Sequence, residues 1–249
     1  MTGFVAELVR GLGDVVFPPS CVHCRGVVEN EETAVNGFRH LCDACVQEIS
    51  WVNPPHCSAC GHPFYGELEG ERQCPHCAKL EPAYREGRTA VLLKGPGRAL
   101  VHELKYHRGL HVLADMAEVF RRSPNVLAMA RGSTLVPVPL HPRKLRERGY
   151  NQSGLIAEEL ARVAGGGTTV KELLRRVVDT ATQTHHDRRE RQANLKNAFA
   201  LAPGAGLNPD QHIILVDDVF TTGSTLNSCA IVLQRAGCLK LDVITFGHG

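Results

Sequence analysis

The stretch Ile213-Ile-Leu-Val-Asp-Asp-Val-Phe-Thr-Thr-Gly-Ser-Thr225 decides the fold class of this 249-residue chain. It opens as an unbroken apolar run, the pattern of a strand buried on both faces of a parallel sheet. The run predicts a strand over residues 212–216 that ends in two adjacent carboxylates, Asp217 and Asp218, followed by a short turn of hydroxyl and glycine residues. A helix is expected next, because Leu226, Ala230, Leu233 and Ala236 recur at helical spacing and Gly237 closes the pattern. In open α/β sheets ligands bind beyond the carboxyl ends of the strands. A helix N-terminus there offers unpaired N–H groups and a positive dipole end to a phosphate. Gly223 is expected to let the backbone approach the anion, and Thr221, Thr222, Ser224 and Thr225 add hydroxyl donors. Asp217 and Asp218 can accept hydrogen bonds from the two hydroxyls of a ribose.

Other readings of this stretch fit less well. An apolar strand ending in Asp-Asp also suits a Walker B element, but the chain has no G-x4-G-K-[ST] to accompany it. No G-x-G-x-x-G follows a strand, which removes a dinucleotide-binding fold. A capped helix after a core strand accounts for one Asp and one Thr, not for paired acids followed by T-T-G-S-T.

Upstream, the pattern alternates between strand and helix. A β-rich run begins at Thr89 and ends at Leu93. Helical spacing follows in Ala99, Leu100 and Leu104, then in Leu110, Leu113, Ala117 and Phe120. A strand is expected over 134–138, and then a helix from about Ser153 that carries Ile156, Leu160 and Val163 and stops at the glycines 165–167. Residues 241–246 read as a last strand. Such alternation argues for an α/β fold with a mainly parallel sheet flanked by helices.

The first third is different. Eight of the ten cysteines lie before residue 78, in four C-x2-C pairs: Cys21/Cys24, Cys42/Cys45, Cys57/Cys60 and Cys74/Cys77. Seventeen residues separate the first two pairs and thirteen the last two. Each pair supplies two sulfurs from one tight turn, and a second pair brought opposite completes a tetrahedral thiolate site. Two structural Zn2+ ions are therefore expected, one per four cysteines in chain order, although spacing alone also permits interleaved pairing. A disulfide framework would need an oxidising compartment, and the N-terminus lacks the features of a signal peptide. Its Phe4, Val5, Leu8, Val9 and Leu12 suit a short amphipathic helix. No apolar run approaches the roughly 20 residues needed to span a bilayer, so a cytoplasmic protein is expected. Cysteine usage stops near Lys79, which places a zinc-ribbon domain at 1–82 and the α/β domain at 83–249. Cys229 and Cys238 read as small buried residues. Hydrophobic content is 43%, charged content 22% and net charge +2. A packed core is possible, and any attraction to nucleic acid must be local.

These residues carry a resemblance. Paired acids followed by T-T-G-S-T resemble the signature of type I phosphoribosyltransferases. A cysteine-rich module before that domain, Arg148-Gly-Tyr-Asn-Gln152, the pair Lys105-Tyr106, and Gln183-Thr184 with Arg188, Arg191, Asn194 and Ala198-Phe199 resemble one branch of it. That branch is the ComF family of DNA-uptake and DNA-utilisation proteins, also called ComF/GntX. His185 and His186 depart from its pattern, which commonly has glycine and an apolar residue there. The resemblance implies binding of phosphoribosyl pyrophosphate with Mg2+ by Asp217, Asp218, Thr221, Thr222, Gly223, Ser224, Thr225 and Lys105. It also implies single-stranded DNA as a partner in DNA uptake and admits a DNA-uptake or helicase-type protein partner.

Two basic segments bear on this. Arg143, Lys144, Arg146 and Arg148 follow the strand at 134–138, and in the resembled fold the loop after that strand holds pyrophosphate. Arg146 and Arg148 are thus expected, with Asp217 and Asp218, to serve any catalysis, since guanidinium forks neutralise a departing pyrophosphate. Arg143 and Lys144, with Arg188, Arg189 and Arg191, are candidates for contact with nucleic acid, flanked by Tyr106, Tyr150 and Phe199. Asn151 and Ser153 read as helix caps. The competing function is an active phosphoribosyltransferase of base or nucleotide metabolism, for which no acceptor pocket is legible.

Overall fold

The computed structural model describes residues 19–28, 37–64, 66, 70, 72–178 and 198–249. The expected N-terminal helix and the residues 188–191 lie outside them.

Five strands form one parallel sheet: β1 (Gly87–Leu92), β2 (Thr134–Pro137), β3 (Thr169–Val170), β6 (His212–Phe220) and β7 (Lys240–His248), in the order β1-β7-β6-β2-β3. Two short strands, β4 (Leu174–Arg176) and β5 (Phe199–Leu201), pair antiparallel beside it. The central strand β6 is apolar on both sides because both sides are covered. Ile214 and Val216 join a cluster with Leu100, Met116, Phe120, Ile156 and Leu160. Ile213 and Leu215 join another with Leu226, Ala230 and Leu233. These are the two faces that period-two alternation requires, and full burial of each such side chain is worth roughly 1.5–3 kcal/mol.

The covering helices are α3 (Gly95–Tyr106), α4 (Leu113–Arg121), α5 (Pro124–Ala130) and α7 (Gln152–Ala164) on one face, and α8 (Ser224–Arg235) on the other. Between β2 and α7 lies α6 (Pro142–Arg148). The segment 143–148, expected as a loop, is this helix. Pro142 supplies a preset first-turn φ, and the His141 side chain accepts the Arg143 N–H at 3.3 Å. A second difference concerns β6, which runs to Phe220 rather than ending at Val216, because its ladder with β7 continues to Phe220 and His248. The two carboxylates therefore sit inside the strand and not after it.

This topology positions a site. From β6 the chain passes through α8 to β7 on one side, and from β2 through α6 and α7 to β3 on the other. The paths diverge between β6 and β2, and such a switch point opens a crevice at the carboxyl ends of the strands. Strand β2 stops at Pro137, paired with Val216, so Asp217 stands one residue beyond the end of its neighbour.

The cysteine-rich module packs on this domain at two places. Cys21, Val22, Phe38, Leu41 and Val46 share the first apolar cluster. They are fixed by Asp115 of α4, fully buried, whose carboxylate accepts the backbone N–H of Arg39 at 2.9 Å and of His40 at 2.8 Å. Burial raises the Asp115 pKa to about 6 against the opposing effect of those two donors. Cys57, Ala59, Cys60, Cys74 and Cys77 share the second cluster. There the knuckle lies on the edge strand so closely that a Cβ on Gly87 would come 2.1 Å from the Ala59 carbonyl oxygen. Short helices α1 (Asp43–Gln47) and α2 (Pro75–Leu80) each start at a cysteine of the module, Cys42 and Cys74. Among the described residues no helix is long and apolar enough to cross a membrane.

Candidate functional site

The eight paired cysteines gather into two tetrads in chain order, Cys21/Cys24/Cys42/Cys45 and Cys57/Cys60/Cys74/Cys77, with the sulfurs of each within 4.8 Å of one another. The interleaved pairing is thereby excluded. Zinc–sulfur bonds of about 2.3 Å at tetrahedral angles put neighbouring sulfurs roughly 3.8 Å apart. Cys24 and Cys42 are separated by 3.7 Å, Cys60 and Cys74 by 3.9 Å. Backbone N–H groups point at the sulfurs, as thiolates require: Gly26 to Cys24 at 3.4 Å, His62 to Cys60 at 3.4 Å and Cys74 to Cys57 at 3.2 Å. Four soft donors with these spacings fit Zn2+. The tetrads differ in cover. All four sulfurs of the second belong to buried residues, whereas Cys24 of the first is exposed and Cys42 half-buried.

The second constellation is built around the carboxylate pair. Asp218 is 4% exposed, and its Oδ2 lies 2.9 Å from Lys105 Nζ, supplied by the last turn of α3. Asp217 Oδ1 accepts the Ser153 hydroxyl at 2.8 Å and the Asp218 backbone N–H at 2.9 Å. Burial and then the neighbouring Asp218 charge raise the Asp217 pKa to about 7, against the opposing effects of those two donors and of Lys105. The segment 148–153 braces this group. Arg148 donates to Gln152, the Tyr150 hydroxyl donates to the Leu104 carbonyl one residue before Lys105, and Asn151 donates to the Val138 carbonyl at 3.0 Å. Ser153 is thus a partner of Asp217 and not a cap. Asn151 does cap α7, accepting the Ser153 N–H at 3.3 Å.

Downstream, Thr221 and Thr222 are exposed and Ser224 and Thr225 half-buried at the start of α8. Thr222 Oγ1 accepts the Ser224 N–H at 3.4 Å and donates to the Ser224 hydroxyl at 3.1 Å. Gly223 has φ +69°, and a Cβ there would meet the Phe220 ring at 2.5 Å and Leu80 at 2.7 Å. The glycine is required by the left-handed turn and by the cysteine module packed beneath it, a reason other than the approach of an anion expected from the sequence.

A family model described as "Double zinc ribbon domain" matches residues 12–78. Competence protein F of Haemophilus influenzae is 32% identical over 90% of this chain and 94% of its own length. The DNA utilization protein YhgH of Salmonella typhimurium is 34% identical over 82% of this chain and 88% of its own. This chain belongs to the ComF family. Competence protein ComFC of Streptococcus pneumoniae is 26% identical over 76% of the chain and 85% of its own. Among solved structures, a hypoxanthine phosphoribosyltransferase from Staphylococcus aureus aligns over 53% of the chain and 62% of its own at a TM-score of 0.34 and 13% identity.

In this ComF-family chain the basic candidates are spread along α6. Arg143 and Lys144 both pair with Glu147, at 3.0 and 3.2 Å, and these two cations hold the Glu147 carboxyl below its ordinary pKa. Arg146 is exposed, and Arg148 is half-buried against Gln152. Sequence reasoning missed the role of Ser153 and the contact of His76 with the Thr222 carbonyl, 2.9 Å. Both join residues far apart in the chain, and the one local signal was the unbroken run from Arg148 to Ser153.

Proposed function

We propose that this protein binds a phosphoribosyl pyrophosphate-like ligand with Mg2+ in the crevice between β6 and β2 and serves DNA uptake or utilisation, handling single-stranded DNA. The supporting observation is the adjacent carboxylates Asp217, half-buried, and Asp218, buried, beside a hydroxyl-lined helix start. A ribose offers two adjacent hydroxyls to such a pair, and a phosphate suits the N–H groups of Ser224 and Thr225. Lys105 Nζ, 2.9 Å from Asp218 Oδ2, adds a cation beside the pair. Arg146 and Arg148, on α6, would serve as the cations for the pyrophosphate. The DNA role rests on the kinship with proteins named for competence and DNA utilization.

The chain's residues supply neutralisation of an anion and positioning of a ribose. A Mg2+ ion arriving with the ligand would neutralise pyrophosphate oxygens and need no dedicated protein cage. The zinc tetrads supply structure, since a closed set of four thiolates leaves no open coordination position. Titration of the purified protein with phosphoribosyl pyrophosphate and Mg2+, with and without a single-stranded oligonucleotide, tests the reading. Saturable binding of both ligands is expected. No binding of phosphoribosyl pyrophosphate refutes the ligand, and release of pyrophosphate on adding a free base would establish a phosphoribosyltransferase instead.

A further inference from the structure

The second cysteine tetrad lies under the ligand loop, and the first does not. Helix α2, capped at its start by Cys74, includes Cys77, and with the residues just after it touches the segment 220–227. His76, between the two cysteines, reaches the Thr222 carbonyl with Nε2 at 2.9 Å; a carbonyl accepts, so Nε2 carries the proton. Leu80 fills the space where a Gly223 side chain would be. Asn227, in the first turn of α8, accepts the Ala83 N–H at 2.7 Å and donates to the Leu80 carbonyl at 3.4 Å. On the other side the same knuckle is tied to the sheet. Thr89 donates to the Cys60 carbonyl at 3.0 Å, and the Gly87 N–H to the Ser58 carbonyl at 2.7 Å. The His62 ring lies 4.9 Å from His248, which stacks on Phe220 at 5.2 Å, two residues before Thr222. The 221–225 loop is therefore clamped between the sheet and a six-residue helix. A helix that short does not hold itself in water, and its position depends on the two cysteines that pin it.

We infer that the metal in the Cys57/Cys60/Cys74/Cys77 tetrad orders the 221–225 loop through His76, Leu80 and Asn227, so that ligand affinity at this loop and metal retention in that tetrad are coupled. The inference rests on the ligand reading above for its affinity arm and on geometry alone for its loop arm. His76 and Leu80 are positioning residues: they touch the loop from below and act on a ligand only through its backbone. Coupling is reciprocal by thermodynamic necessity. A ligand that favours the ordered loop tightens the second zinc's binding by the same factor by which that zinc improves ligand affinity. The first tetrad, with no hydrogen bond to the loop among the described residues and an exposed Cys24, is the one expected to give up its metal first.

The test uses the full chain with both metals bound. Amide hydrogen exchange of residues 222–227 is measured in the wild type, His76→Ala, Leu80→Ala and His23→Ala, the last being the corresponding knuckle histidine of the first tetrad. Zinc release is followed with a colorimetric zinc indicator in the same samples, with and without phosphoribosyl pyrophosphate and Mg2+. His76→Ala and Leu80→Ala should keep two zincs at rest and speed loop exchange by about 5–10-fold, the range of one lost hydrogen bond or one packing contact. Affinity for phosphoribosyl pyrophosphate should fall by a similar factor, while His23→Ala matches the wild type. In the wild type, loop exchange should rise with the second zinc lost and not with the first, and the ligand should slow that second release. Loop exchange unchanged in both variants and after full zinc loss overturns the inference. If the wild type does not bind phosphoribosyl pyrophosphate, the ligand reading fails by itself, and the exchange data still decide whether metal and loop are coupled.

Discussion

Replacing Asp217 by Asn should stabilise the folded protein above neutral pH and weaken ligand binding at the same time. The argument starts from the two donors that Asp217 faces. Both the Ser153 hydroxyl and the Asp218 N–H point at one oxygen, Oδ1. An asparagine retains that oxygen as an acceptor, so neither hydrogen bond is lost. What disappears is a negative charge that burial and Asp218 both disfavour. The Asp217 pKa in the folded chain is about 7, above the ordinary 3.8. A raised carboxyl pKa means that the folded state prefers the protonated form. Its contribution to stability is complete below pH 3.8 and is lost as pH rises through about 7. At 1.36 kcal/mol per tenfold that interval corresponds to roughly 4 kcal/mol. Asp217 is only partly shielded from solvent, which screens some of this, and about 2 kcal/mol is the expected gain for Asp217→Asn at pH 8. For a chain of this size that is a rise in Tm on the order of 4–8 °C.

The assay is a pair of thermal melts, wild type against Asp217→Asn, at pH 5 and at pH 8 with zinc held constant. Since asparagine does not titrate, the difference between the two proteins should grow from pH 5 to about pH 7 and level off above it. Comparing the two proteins at each pH removes the effect of acid on the zinc sites, which both share. A gain that is absent at pH 8, or as large at pH 5, would refute the reasoning, because it would show that Asp217 carries its charge in the folded state at little cost. A stabilised variant with weakened binding would mark Asp217 as a residue whose charge is retained for function at the expense of stability.

Three further outcomes are expected. Elemental analysis of natively purified protein should return two zincs per chain, and one or none would reject the two-tetrad assignment. Asp115→Ala removes the acceptor of the Arg39 and His40 N–H groups and should cost about 2–4 kcal/mol, read as a lower midpoint in urea with the first tetrad losing zinc sooner; an unchanged midpoint would show that the first ribbon docks without this clamp. Single-stranded DNA should bind more tightly than duplex, with log affinity falling against log salt at a slope of roughly −2 to −3.5 for three to five neutralised phosphates, and Arg188→Ala with Arg189→Ala and Arg191→Ala should flatten the slope by about two; no salt-sensitive binding in fluorescence anisotropy would remove these cations from the nucleic-acid surface.

How far the sequence could be read follows from which interactions are local. The run at 212–216 announced a strand buried on two faces, and Ile213 and Ile214 do enter different apolar clusters. The C-x2-C spacing announced the tetrads, because each pair is one turn and the thiolate chemistry admits few partners. The end of β6 was not legible. Hydrophobic pattern reports side-chain burial, whereas the strand is extended to Phe220 by backbone pairing with β7, to which side-chain polarity is indifferent. Helix α6 was hidden for a related reason: four cations and no buried residue leave it without an apolar face, so only Pro142 and Gly149 mark its ends.

The site shows the same division more sharply. The acids and hydroxyls of 217–225 are contiguous, and could be singled out from their order. Their supports are not contiguous. Tyr150 reaches back 46 residues to Leu104, Asn151 13 to Val138, Ser153 forward 64 to Asp217, and His76 146 to Thr222. None of these bonds leaves a trace in local periodicity, because a serine after an asparagine at a helix start has a sufficient local explanation as a cap. The run from Arg148 to Gln152 could be recognised as a motif and still not be understood together with the Ser153 that follows it. These residues act on three different elements, α3, the end of β2 and β6, and their common result is a fixed distance between Lys105 and the carboxylate pair. Such a motif is dense because one short segment braces three elements at the mouth of the crevice, and the cysteine module braces the fourth side through His76 and Leu80.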